Sequence, residues 1–242
     1  MFLIVIAMAR EPIATYSLTM LSIIIPTLQA ENTLDATLTA LEASEMGAQM
    51  IISDGGSTDA TCEIAGNFGA EIVDAPRGRG SQLAAGAKAA TQPWLLFLHA
   101  DTKLGKAWQI EVQNFIKAES EPHCAAVLKF ALDDPSLAAR RLEKIVAWRC
   151  RWFGLPYGDQ GLLISREHYD EIGGYAGLLL FEDVDIIRRI GRRHIRYLDT
   201  PATTSADRYK KSGYVLRPIR NATCLSLYFA GLPPKLIGRL YQ

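Results

Sequence analysis

The chain has 242 residues, with 26 Lys and Arg balanced by 26 Asp and Glu and 49% hydrophobic residues. That length suits one sizeable core, and the composition excludes a disordered or fibrous chain. Zero net formal charge argues against a general electrostatic nucleic-acid binder. Cys62, Cys124, Cys150 and Cys224 are scattered without a close pair, so neither a zinc knuckle nor a redox dithiol is suggested. A reducing compartment, the cytoplasm, is the simplest home.

Residues 1–20 open with an apolar run at 2–9 that is too short to span a bilayer and reads as a leader or an extra strand. Residues 22–26 (SIIIP) form a buried-type strand, and Leu34, Leu38 and Leu41 then recur at helical spacing. Residues 50–53 repeat the strand, Gly55 and Gly56 turn the chain, and Ser57 is expected to cap a helix carrying Ile64 and Phe68. A third strand at 71–73 leads through a glycine-rich loop at 77–80 into an alanine-rich helix at 81–90. A fourth, apolar strand at 94–98 stops at His99, Ala100 and Asp101. Four strand-helix alternations predict an α/β fold whose largely parallel central sheet is flanked by helices.

Beyond that point a helix is expected near 106–117 and a strand near 125–131. Residues 137–153 are helical in period and carry Arg140, Arg141, Lys144, Arg149 and Arg151 beside Trp148, Trp152 and Phe153. This face suits a membrane surface or an acidic acceptor; a solvated basic face over a buried aromatic one is the plainer alternative. Residues 161–165 return to strand and 181–190 to helix. The apolar stretch at 225–241 is interrupted by Pro233 and Pro234, so it packs on the core, joins a homodimer or rests on a membrane rather than spanning one.

Polar groups gather at the ends of these strands, where open α/β sheets bind ligands. Asp54 can accept the base N–H of a uridine nucleotide or simply close an Asx-turn. Arg77 and Arg79, in PRGRGS, suit a diphosphate but lack the lysine and spacing of a Walker loop. His99 and Asp101 are expected to project to one side, as an imidazole with a hard oxygen ligand. Glu182, Asp183 and Asp185 stand at a helix start, as a general base or as acids favoured by the helix dipole.

In this order SIIIPTLQAE, SDGGSTDAT, PRGRGSQLAAGA, WLLFLHADT, YGDQGLLIS and LFEDVDIIRR resemble glycosyltransferase family 2. Their HAD motif is similar to that of a small bacterial subgroup associated with radical-SAM and selenium-domain proteins. The resemblance covers about residues 21–207 and implies a GT-A fold, Rossmann-like and nucleotide-sugar-binding, over 21–208, with 209–242 as an added apolar and basic segment. It implies sugar transfer from a nucleotide donor, with a UDP-sugar favoured, and inversion at the anomeric carbon. Pro26 and Thr27 would line the nucleoside pocket, Asp54 the base, Arg79 (with Arg77) the phosphates, and Asp101 a Mg²⁺ or Mn²⁺. Asp183 would be the base, with Glu182 beside it, and Asp159 and Gln160 would lie on the acceptor side.

Two positions depart from the broad family: His99 stands where Asp is usual, and Asp207, Arg208 and Tyr209 replace an arginine-tryptophan pairing. The first leaves His99 either on the ribose or in the metal shell; the second leaves the acceptor open. Sugar nucleotidyltransfer and a non-catalytic nucleotide- or membrane-binding scaffold are the rival readings. The expected partners are a nucleotide sugar and an unidentified acceptor, without nucleic acid, and with peripheral contact at the inner face of a membrane or a homodimer as further alternatives.

Overall fold

The computed structural model describes residues 20–42, 47–118, 123–178, 180–233 and 236–238. Residues 1–19, expected as a leader or extra strand, lie outside this set, as does part of the 225–241 stretch.

The chain runs as β1 (Leu21–Thr27), α1 (Leu34–Glu42), β2 (Gln49–Asp54), α2 (Thr61–Asn67), β3 (Glu71–Asp74), α3 (Arg79–Ala89) and β4 (Trp94–Phe97). It continues with β5 (Thr102–Leu104), α4 (Trp108–Ala118), β6 (Ala125–Leu132), α5 (Leu137–Phe153), β7 (Leu162–Ser165), α6 (Arg166–Glu171), α7 (Glu182–Ile190), β8 (Ile195–Thr204), α8 (Asp207–Ser212) and α9 (Leu216–Phe229). The strands form one sheet in the order β3-β2-β1-β4-β7-β6-β8-β5. Its first half is parallel as expected, β1 pairing with both β2 and β4 and β2 with β3. The expectation of a largely parallel sheet fails beyond β4. Strand β7 runs antiparallel to both β4 and β6, and β5 antiparallel to β8, leaving β6 with β8 as the one parallel pair in that half.

Every residue of β1 is buried because helices cover both faces of the sheet. Ile23 and Ile25 pack with Leu34, Leu38, Trp108 and Val112 on one face. Ile24 packs on the other with Leu83, Ala87, Ile186 and Ile187. The apolar stripe of α1 is therefore core. Helix α5 has the bounds its period predicts. Ser136 Oγ accepts from the Ala139 amide at its start, and left-handed Gly154 ends it. Its Leu142, Val146 and Cys150 face Phe130 and Leu132 of β6 in a third cluster, which also holds Ala206 and packs against Tyr209 and Tyr214. Helix α8 thus crosses the expected boundary at 208/209 without a break.

Ser57 does not cap α2. The helix starts at Thr61, and the Ser57 hydroxyl instead donates to Asp54 Oδ1 at 2.6 Å. The glycine-rich loop is shorter than expected, since Arg79 and Gly80 already belong to the first turn of α3.

Candidate active site

The carboxyl end of β1 with the segment after it, the start of α3 and the turn after β4 border a cleft of about 620 Å³. Pro26, Thr27, Arg77, Arg79, His99 and Asp101 line it, with Arg208 and Lys211 of α8 opposite. Buried Gln82 fixes this edge: its Nε2 donates to the carbonyl oxygens of Thr27 and Ser53 at 2.5 and 3.1 Å. Sequence reasoning missed Gln82, a polar side chain in an alanine-rich helix; its buried amide capacity needs partners, and the strand ends supply them.

Asp54 lies beneath this cleft rather than in its lining. Its carboxylate accepts from the Thr27 hydroxyl at 2.9 Å, the Gly56 amide at 2.9 Å, and the Ser57 amide and hydroxyl at 2.6 Å each. Burial works against its charge, yet these hydrogen bonds hold its carboxyl below the ordinary range.

A second cleft shares Arg79, His99, Asp101 and Arg208 with the first and runs between α5 and α9. Tyr157, Gly158, Asp159 and Asp183 form its polar end, and Leu142, Ile145 and Val146 form one wall. The two clefts therefore meet at Arg79, His99 and Asp101. Arg149, on the helix read as a surface element, reaches this end and lies over the Tyr157 ring at 3.4 Å.

Asp183 is set by its neighbours. Phe181 takes a left-handed φ of 64° before α7, an uncommon conformation for a bulky residue, and its ring packs on Tyr228 of α9 at 4.9 Å. Asp183 Oδ2 accepts from the Gly158 amide at 2.8 Å. Glu182 is buried and its Oε1 accepts a hydrogen bond from Arg79 Nε at 2.5 Å, while Arg79 Nη2 lies 3.7 Å from Asp183 Oδ2. Although burial opposes the guanidinium charge, Glu182 and then Asp183 hold it firmly protonated. Glycine is required at 158 by close approach: a β-carbon there would stand 2.8 Å from His99 Nε2 and 3.2 Å from Arg79 Nη2.

Burial, followed by the charges of Arg79 and Arg208, drives the His99 pKa well down, so the imidazole is neutral. Burial pushes Asp159 up to about 6, against the pull of Arg149 and with added repulsion from Asp183 and Asp101. Its Oδ1 is buried without a hydrogen-bond partner. Gln160 turns the other way: its Nε2 donates to the Leu128 carbonyl at 3.0 Å and its Oε1 accepts from Cys150 Sγ, behind the cleft.

The carboxylates of Asp101 and Asp159 and the neutral imidazole of His99 are donors suited to Mg²⁺ or Mn²⁺. The orphaned Asp159 oxygen fits that use. Among the described residues no three His, Cys, Asp or Glu side chains converge to hold a cation by themselves. A cation here would complete its shell with water or with oxygens from a bound ligand.

Comparison with known proteins agrees with this arrangement. Residues 22–180 match the model of glycosyl transferase family 2. The chain belongs to that family. It is 38% identical over 112 residues to a PGL/p-HBAD biosynthesis glycosyltransferase of Mycobacterium bovis, a match covering 43% of each chain. It is also 38% identical over 81 residues to an uncharacterized glycosyltransferase of Mycobacterium tuberculosis, covering 33% of this chain and 36% of the relative. The chain thus spans less than half the length of these curated relatives.

Among solved structures it is similar to S. aureus TarS 1-349 in complex with UDP-GlcNAc, with a TM-score of 0.60 and 15% identity over 91% of this chain and 70% of that one. It is also similar to glucosyl-3-phosphoglycerate synthase from Mycobacterium tuberculosis in complex with Mn²⁺, UDP and glucosyl-3-phosphoglycerate. There the TM-score is 0.54 and the identity 17%, over 75% of this chain and 70% of that one. At such identities the likeness is one of fold, a GT-A-like α/β architecture with a mixed sheet.

Proposed function

We propose that this family 2 glycosyltransferase moves a sugar from a UDP-sugar to an acceptor hydroxyl, with a divalent cation and with inversion at the anomeric carbon. The observation that carries this reading is the meeting of two clefts at Arg79, His99 and Asp101, with Asp183 on the far side. One cleft has room for a nucleotide at the sheet's carboxyl edge, and the other brings an acceptor to a carboxylate. Both solved neighbours above carry a uridine nucleotide, and one carries Mn²⁺.

In this reading Pro26 and Thr27 border the nucleoside, and Arg77 and Arg79 take the diphosphate. Asp54 acts on the base side through the loop it holds, since its carboxylate already accepts four hydrogen bonds. Asp101 would hold the Mg²⁺ or Mn²⁺, with His99 and Asp159 in reach of its shell. A bound cation supplies Lewis-acid neutralisation of charge on the departing nucleoside diphosphate. Glu182 positions Arg79. Asp183 takes the acceptor proton, its Oδ2 oriented by the Gly158 amide; such a base contributes roughly a hundredfold or more. The HAD motif supports a kinship with the radical-SAM/selenium-domain-associated subgroup, and the same reading includes peripheral contact with a membrane from the cytoplasmic side.

The test is calorimetric titration with UDP, GDP and their sugars, with Mn²⁺ and with EDTA. The expected result is Mn²⁺-dependent UDP binding that Asp101→Ala abolishes while the fold persists. Unchanged metal dependence in that variant would remove Asp101 from the metal site, and release of pyrophosphate in place of UDP during turnover would overturn transfer itself.

A further inference from the structure

The two helices that flank the acceptor-side cleft carry a large share of the positive charge. Residues 137–153 and 216–229 hold seven Lys and Arg against one Glu, in a chain that is neutral overall, so the rest of the chain is acidic. The one acid of α5, Glu143, is already used by Arg140 and by the Leu132 amide. Because α5 and α9 line the same cleft, this charge is gathered on one side of the molecule.

Large apolar side chains stand among these cations. Trp148, Trp152 and Phe153 on α5 are 55%, 60% and 56% exposed, and Leu216 and Ile219 on α9 are 73% and 58% exposed. Single exposed apolar residues are ordinary, but five on two helices that share a cleft, interleaved with Arg and Lys, have the composition of an interfacial surface. Tryptophan settles at headgroup depth, and long basic side chains reach past apolar neighbours to lipid phosphates. A protein interface is the poorer match, because interface cores are depleted in Lys and Lys144 sits beside Ile145 in the middle of α5.

We propose that α5 and the first turns of α9 form a docking surface for an anionic lipid bilayer. The docking stands on these two helices; what it presents to the enzyme rests on the transferase reading. With the surface seated, the mouth of the acceptor-side cleft, where Ile145 is 59% exposed, meets the headgroups. The apolar wall of Leu142 and Val146 then leads inward toward Asp183, so the acceptor class it admits is a hydroxyl carried on a lipid.

The experiment is co-flotation of the full chain with vesicles of phosphatidylcholine alone and of phosphatidylcholine mixed with phosphatidylglycerol, at low and high salt. Binding is expected only to the anionic vesicles and is expected to weaken with salt. Arg141→Gln with Lys144→Gln should lower partitioning on the order of twentyfold, at about fivefold per basic residue. Trp148→Ala with Trp152→Ala should lower it about tenfold or more. Brominated lipids should quench Trp148 and Trp152, and also the L216W variant made with Trp148→Phe and Trp152→Phe, which reports whether both rims touch the bilayer. Circular dichroism shows that each variant is folded, and a UDP titration in solution reads the transferase site separately.

Equal binding to both vesicle types, no binding by a chain that binds UDP, or a concentration-dependent dimer that buries Trp148 and Trp152 without vesicle binding would each overturn the docking surface. Vesicle binding that persists when no UDP binding is found would leave the surface standing and sink the transferase reading instead.

Discussion

Arg79 and Glu182 lie 103 residues apart in sequence, yet the guanidinium Nε donates to the carboxylate Oε1 at 2.5 Å, joining the first turn of α3 to the first residue of α7. The pair ties Arg79, which lines both clefts, to the residue directly before Asp183. Gly80 allows the approach: a β-carbon there would stand 2.3 Å from the Ala176 carbonyl oxygen in the segment leading to α7.

Glu182→Gln keeps the shape of the side chain and removes its charge. Arg79 then loses its principal counter-ion and its fixed direction toward the diphosphate. Donor KM should rise about tenfold, with stability falling by about 1 kcal/mol, a figure kept small because the Arg79 side chain is 39% exposed. Steady-state kinetics with urea unfolding checks both, and an unchanged donor KM would detach Glu182 from donor binding.

Gly158→Ala tests close approach at the junction of the clefts. The added methyl meets His99 Nε2 and Arg79 Nη2, side-chain ends that can move, so the fold should survive while the site shifts. Turnover should drop on the order of a hundredfold, as expected for a displacement near 1 Å in a catalytic constellation, with a melting temperature close to that of the parent. Full activity in the variant would show that His99 and Arg79 do not need their present positions.

Much of this site was readable because its residues stand at the ends of short, fully apolar strands, where a carboxylate or arginine is conspicuous. Strands β1, β2 and β4, helix α5 and the start of α7 follow directly from burial and period. Strand β8 escaped because Asp199 and Pro201 lie within it, and proline cannot donate to a ladder; the register shift between Val127 and Lys129 of β6, opposite Tyr197 and Pro201, accommodates them here. The antiparallel seat of β7 escaped for a different reason. Pairing direction depends on where the chain returns after a long excursion, which local pattern does not record. Gln82 and the inward turn of Gln160 were hidden because satisfying a buried amide depends on carbonyl oxygens distant in sequence.

Asp54 offers a test that separates a structural carboxylate from one that touches the base. Asp54→Asn weakens the acceptance of hydrogen bonds from Thr27, Gly56 and Ser57, so stability at neutral pH should fall by roughly 1 to 3 kcal/mol. The folded pKa of Asp54 is depressed, so its contribution is present above the unfolded value and is lost as pH falls through the folded one. The gap between parent and variant should therefore narrow in acid. A variant with parental stability and selectively weakened UDP binding would make Asp54 a direct reader of the base.

Asp159 has the opposite sign. Burial raises its carboxyl from 3.8 to about 6, so between these values the folded chain binds more protons than the unfolded one. Stability from this group is present below the unfolded pKa and declines as pH rises toward 6, where an ionised carboxylate is left with a buried, unpartnered oxygen beside Asp183 and Asp101. The cost at neutral pH is on the order of 3 kcal/mol. Asp159→Asn should remove it, making the variant more stable than the parent at about pH 7.5 and little different at about pH 4. If the cation shell includes Asp159, saturating Mn²⁺ with UDP should close that gap by stabilising the parent and not the variant. Thermal unfolding at the two pH values, with and without Mn²⁺ and UDP, reads both effects. Equal stabilisation of the two proteins by Mn²⁺ and UDP would place Asp159 outside the cation shell.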